Sequence, residues 1–282
     1  MRVAHEAPLE IIKQVSKVTD YDYALVHLFE DNKTYYNHFI DAKKAGRYII
    51  LDNSIFELGT AFNADDFAAW CKQLKPSAYI VPDVLEDIDG TIANWNSWMA
   101  SINNRLGPYE DLQGSKIGVV QGKTEQEIVD CYKFMANEAD IIAISFDYSW
   151  FEEVYPDEKT KYHSWMKGRK YLLDLLIEEK AINYNKPHHL LGCGLLQEFA
   201  LYKGKEYDFI DTIDTSNPVV HGMMNIDYEE TDGVFGLETK ESIKLFELME
   251  EPVENPSKVF YNIMKFRANI DEEMGSVVQQ LG

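Results

Sequence analysis

YDFIDTIDTSNPVVHG, Tyr207–Gly222, opens as an apolar run, delivers two carboxylates, Asp211 and Asp214, and breaks at a Thr-Ser-Asn-Pro turn. A short apolar run that stops at a turn signal reads as a buried strand. A carboxylate at the exit of such a strand is poised in a cleft rather than in bulk water. That makes a carboxylate here a candidate nucleophile, with Asp52, far upstream, as its acid/base partner. Residues three apart on a strand point to opposite faces, so Asp211 and Asp214 cannot share the role, and strand physics alone does not choose between them.

The same design recurs on the N-terminal side. Tyr23–Phe29, Tyr48–Ser54, Ala78–Val84, Lys116–Gly122, Ile141–Asp147 and His188–Gly194 are compact runs rich in strand formers, and Asp208–Thr215 is the seventh. Gly233–Glu238 is a weaker eighth candidate because of its two glycines. Helical patterns lie between them: Tyr35–Lys44, Asn63–Leu74, Ile88–Leu106, Thr124–Ala136, Tyr171–Lys180 and the short Gln197–Lys203. Asn63, followed by Asp65 and Asp66, suits a helix start, and Thr124 with Glu127 has capping-box spacing. Lys240–Glu250 and Pro256–Leu281 also read as helices.

Strands alternating with helices imply parallel pairing through crossovers, and runs that are apolar throughout imply strands covered on both faces. Seven or eight such units in roughly 250 residues match an α/β (β/α)8 TIM-like barrel. A doubly wound open sheet more often carries a GxGxxG turn after its first strand, and none follows here. With no internal repeat, linker or composition break, residues 1–282 read as a single barrel domain.

Composition narrows the function classes. The 282 residues carry a formal net charge of −21, which argues against broad polyanion binding but leaves room for a local basic patch. No window holds the ~18 consecutive apolar residues of a membrane span, and the N-terminus lacks the pattern of a secretory signal. Cys71, Cys131 and Cys193 have neither zinc-ligand nor disulfide-framework spacing, so a reducing, cytoplasmic setting with no metal or cofactor is expected.

In a barrel, chemistry gathers at the C-terminal ends of strands. This chain places Asp52, Asp83, Gln121, Ser145, Asp147, Gly192 to Gly194 and Asp214 there. Clustered carboxylates suit two reaction classes. One is metal-assisted hydrolysis or lysis, which usually wants several His or Glu ligands; His188 and His189 instead begin their strand. The other is glycosyl transfer, which needs one carboxylate to attack the anomeric carbon and a second to handle protons.

Five segments, in order, resemble one family. LDNSIFE at Leu51–Glu57, VPDV at Val81–Val84, GVVQG at Gly118–Gly122, LLGCG at Leu190–Gly194 and IDTIDTSNP at Ile210–Pro218 are similar to motifs of the tRNA-guanine transglycosylases, and more so to the phage-type relatives that insert 7-deazaguanines into DNA. The resemblance implies a base-exchange enzyme with Asp214 as nucleophile and Asp52 as general acid/base. It implies a base pocket of Phe56, Asp83, Gln121, Gly122, Ser145, Leu191 and Gly192, with Phe56 stacking on the ring. The family's paired glycines are here Ser145 and Phe146, its Cys/His zinc site is absent, and Val219, Val220 and His221 stand where Arg and Asn usually follow the nucleophile. These departures point to DNA before tRNA as the polymer, with a preQ0- or preQ1-like base as the partner ligand.

One dense basic stretch, KTKYHSWMKGRK at Lys159–Lys170, mixes cations with aromatics, as phosphates and unstacked bases require. Lys159, Lys161, Trp165, Lys167, Arg169 and Lys170 are therefore the candidate nucleic-acid contacts. A homodimer, or an accessory protein supplying basic surface, is compatible with so acidic a chain, as is a non-catalytic subunit.

Overall fold

The structure is a computed structural model and describes residues 1–271. Eight strands form one sheet: β1 (Arg2–His5), β2 (Asp22–Leu25), β3 (Ile49–Asp52), β4 (Ala78–Ile80), β5 (Ser115–Val119), β6 (Ile141–Ser145), β7 (His188–Leu191) and β8 (Ile210–Thr215). Their order is β1-β8-β7-β6-β5-β4-β3-β2. From β2 to β8 successive strands are neighbours and β8 pairs in parallel with β1, Ala4 opposite Asp214, while β1 and β2 stand at the two ends of the order. A nearly closed succession of eight parallel strands with intervening helices is the (β/α)8 fold.

By internal contacts the chain divides into two compact units. One comprises residues 21–144 and 183–189 and carries β2 to β5. Its strands are buried on both faces: Ile49, Ile50 and Leu51 are all inaccessible to solvent. Tyr79 packs outward on Phe67 and Trp98, and Trp98 meets Tyr109 edge-on at 4.9 Å. Helix starts follow the local chemistry. Asn63 accepts from the Asp65 and Asp66 amides, and Thr124 and Glu127 form the reciprocal capping box. His188 stacks on Tyr132 and bonds its hydroxyl at 2.9 Å.

The other unit comprises residues 1–20 and 145–182 and the chain from 190 onward. Here the helices Asn217–Met223 and Pro256–Ala268 pack together, Phe199 lies against Phe266, and Trp150 and Phe151 pack along the helix Lys161–Glu178.

Several boundaries differ from the sequence reading. The first strand is Arg2–His5, and the run at Tyr23 is the second, turning helical at His27–Asp31. Gly233–Glu238 is not an eighth barrel strand: Val234–Gly236 pairs antiparallel with Glu229–Thr231 in a separate hairpin, β9 and β10. Its turn has Asp232 and Gly233 both at positive φ, the conformation that closes tight hairpins. Lys240–Glu250 is irregular except for one 3₁₀ turn, Leu245–Leu248. The last helix ends at Ala268; the rest of the expected Pro256–Leu281 helix from residue 272 lies outside the described residues.

Burial lowers the pKa of His188 to about 4, opposed by its bond to the Lys186 carbonyl. The unfolded chain therefore binds this proton more readily than the folded one between pH 6.5 and about 4, and stability is full above that window and falls as pH drops through it. Urea denaturation across that range should show this slope, reduced in His188→Phe by on the order of 3 kcal/mol in total.

Candidate active site

The candidate residues fall into two groups, one in each unit. In residues 21–144, β3 ends in Asp52, whose carboxylate accepts from the Tyr23 hydroxyl and from the Ser54 amide. Ser54 reaches it by adopting a left-handed backbone with φ 60°. Tyr23 is stacked on His189, centroids 5.8 Å apart. Phe56 follows on the short helix Ile55–Leu58 and is 43% exposed, so it is not a core residue.

Asp83 lies two residues beyond Val81 and is buried at 3% exposure. One oxygen accepts from Asn53 Nδ2 at 2.8 Å and the other from Gln121 Nε2 at 2.7 Å. Burial raises the Asp83 pKa, and these two amide bonds oppose it. Gln121 is fixed at its other end, where its Oε1 accepts from the Glu86 amide at 2.8 Å. Gly122 serves packing: an added Cβ would lie 2.8 Å from the Ile128 backbone nitrogen at the start of the following helix. Asp83 also borders a cavity of about 430 Å³ lined by Ile55, Asn94, Ser97 and Trp98 among others.

In the other unit, the choice between the two β8 carboxylates narrows. Asp211 is in a half-exposed ion pair with Arg2. Asp214 is 6% exposed and accepts the Gly192 amide at 3.2 Å. Gly192 has φ +63°, and a Cβ there would sit 2.6 Å from the Phe146 ring. Leu191 contributes its carbonyl, but to Arg169. Ser145 is engaged locally: its amide donates to the Tyr148 hydroxyl and its own hydroxyl to Asp147.

Lys240 is a further charged residue here. Its ammonium lies 4.5 Å from the Phe146 ring centroid. Burial lowers its pKa, opposed by Cys193, Asp147, Glu6 and Asp214.

No family model matches the chain, and no curated protein does.

The basic stretch is largely committed internally. Arg169, expected to meet nucleic acid, is fully buried and paired with Glu198, so that expectation is corrected: its side chain does not reach solvent. Lys170 is held by Asp174 and the Tyr207 hydroxyl, Lys167 by Glu158 and Lys159 by Glu238. Lys161 stands 4.9 Å over the Trp165 ring, and Trp165 donates to Glu152. Among the described residues no group of three or more His, Cys, Asp or Glu is arranged to hold a metal ion, and no helix is long and apolar enough to cross a membrane.

Tyr23, Asn53 and Lys240 escaped the sequence reading. Asn53 adjoins Asp52 in the quoted motif and had a visible signal. Tyr23 reads only as a strand aromatic, and Lys240 only as the first residue of an expected helix. Asn53→Ala should leave the buried Asp83 carboxylate short of a donor and destabilise the fold by about 1–3 kcal/mol in urea melts. A change within a few tenths of a kcal/mol would show that the bond contributes nothing.

Proposed function

We propose that the chain is a base-exchange glycosyltransferase that replaces guanine in nucleic acid, DNA before tRNA, with a 7-deazaguanine. The observation that carries this reading is the environment of Asp83, a buried carboxylate met by two carboxamides. Those N–H groups are chemical equivalents of the N1–H and 2-amino donors of guanine, which on entry take the place of the internal donors. Gln121, released from Asp83, then has an amide N–H for guanine O6, and the exposed ring of Phe56 offers a stacking face.

In the proposed reaction Asp214 attacks C1′ of the target nucleotide. The C1′–N9 bond breaks, its electron pair leaves with guanine, and Asp52, which enters the cycle as the carboxylic acid, protonates the departing base. Asp52, now a carboxylate, takes the N9 proton of the incoming 7-deazaguanine. That nitrogen attacks C1′, the C1′–O bond breaks, and the Asp214 carboxylate is regenerated. The target base reaches such a pocket only after it is flipped from the duplex, at a few kcal/mol.

Radiolabelled guanine should enter duplex DNA in the presence of the folded chain, with tRNA as the parallel arm. Label in tRNA alone would assign the polymer the other way, and label in neither would sink the proposal. Asp214→Asn should retain the fold and form no covalent nucleic-acid adduct, and Asp52→Asn should slow exchange by ~10²-fold or more. Phe56→Ala, at an exposed position, should leave stability within about 0.5 kcal/mol while raising the KM for free base roughly tenfold.

A further inference from the structure

We propose that the buried Arg169–Glu198 pair is a positioning device for Asp214, aiming the Gly192 amide at its carboxylate; its catalytic meaning rests on the base-exchange reading. Arg169 projects from the helix Lys161–Glu178, and Glu198 from the 3₁₀ segment Leu196–Leu201. Their side chains are 0% and 1% exposed. The guanidinium donates to Glu198 through Nε at 2.6 Å and Nη2 at 3.0 Å. Two more of its N–H groups go to consecutive backbone carbonyls, Leu191 at 2.9 Å from Nη1 and Gly192 at 3.1 Å from Nη2.

Peptide planarity turns this into direction. The Leu191 carbonyl and the Gly192 N–H belong to one planar trans peptide and point opposite ways. Holding the carbonyl on Arg169 therefore aims the N–H away from Arg169, where it donates to Asp214 Oδ1 at 3.2 Å. The second carbonyl fixes the next peptide plane. The Phe146 ring then closes off any side chain at Gly192. Glu198 is itself fixed by the Tyr202 hydroxyl at 2.5 Å.

Stability alone does not call for this arrangement. A buried ion pair replaced by apolar residues of similar volume is often neutral or stabilising. An apolar pair, however, cannot hold two carbonyls, whereas the planar five-donor fork of arginine can bond a carboxylate and both carbonyls together.

The test is the double variant Arg169→Met/Glu198→Leu, read by NMR and by kinetics. In the wild type, the Gly192 amide proton shift should track the titration of Asp214, and Asp214→Asn should abolish that dependence. In the double variant the Gly192 shift should no longer follow Asp214. The kcat for exchange should fall ~10²-fold, as for a misplaced reacting group, with the KM for free base unchanged. A Gly192 amide that follows Asp214 equally in wild type and variant, or an unchanged kcat, overturns the proposal. If the wild type shows the NMR coupling and no exchange, the base-exchange reading falls and the positioning role stands. Should the double variant fail to fold, Arg169→Lys takes its place, keeping a cation beside Glu198 but losing the fork, with the same expected and overturning results.

Discussion

A carboxylate taken out of water must be met by donors, and this protein meets its buried acids in two different ways. Structural acids receive cations: Glu198 has Arg169, and Asp22 has Arg47. The acids at the ends of β3, β4 and β8 accept hydrogen bonds from neutral dipoles, with the Lys240 charge also acting on Asp214. Asp52 has a phenol and a backbone amide, Asp83 two carboxamides, and Asp214 a backbone amide. The difference matters for chemistry. A guanidinium fork occupies a carboxylate's lone pairs with a partner that is hard to displace, while an amide or phenol is exchanged for a ligand donor of similar strength. Acids reserved for a substrate are thus expected among the dipole-held set.

How much of this was legible follows from the range of each signal. Strands from Tyr48 to Thr215 declared themselves because a parallel strand is apolar on both faces, and that signal is contiguous in the chain. Arg2–His5 was hidden because it has only two apolar residues in four, and its identity as a strand comes from pairing with a segment more than 200 residues away. Val234–Gly236 looked like another barrel strand for the opposite reason: local apolar content does not say whether a partner lies across a crossover or across a two-residue turn. The strand-end carboxylates could be read in the same way as the strands. Their partners could not, because Asp83 is met from 30 and 38 positions away and Asp52 from 29.

The acidic balance acquires a physical consequence once the cations are located. Several of the chain's lysines and arginines are held by carboxylates, including most of the stretch Lys159–Lys170. Exposed pairs of this kind contribute little to stability, about 0–1 kcal/mol each. They do, however, remove positive potential from the surface. Phosphate neutralisation is the main source of sequence-independent affinity for nucleic acid, so a polymer substrate would be gripped weakly by this stretch as it stands. Opening the exposed pairs Lys159–Glu238 and Lys167–Glu158 against a phosphate is inexpensive for the same reason that they stabilise little.

Arg169 shows where a charge-pattern reading stops and a periodicity reading should have taken over. Taken as one of five cations within twelve residues, it belongs to a basic patch. Taken on the helix Lys161–Glu178, it lies on the stripe of Ser164, Gly168, Leu172, Leu173 and Leu176, every one buried. An apolar stripe at spacings of three and four, continued backward from the leucines, predicts that the residue at 169 faces inward. An inward arginine must find a carboxylate and carbonyls or destabilise the fold. Burial thus turns a residue type associated with phosphates into one that orders backbone. The glycine beyond β7 can point its amide at Asp214 because the arginine holds the other side of the same peptide.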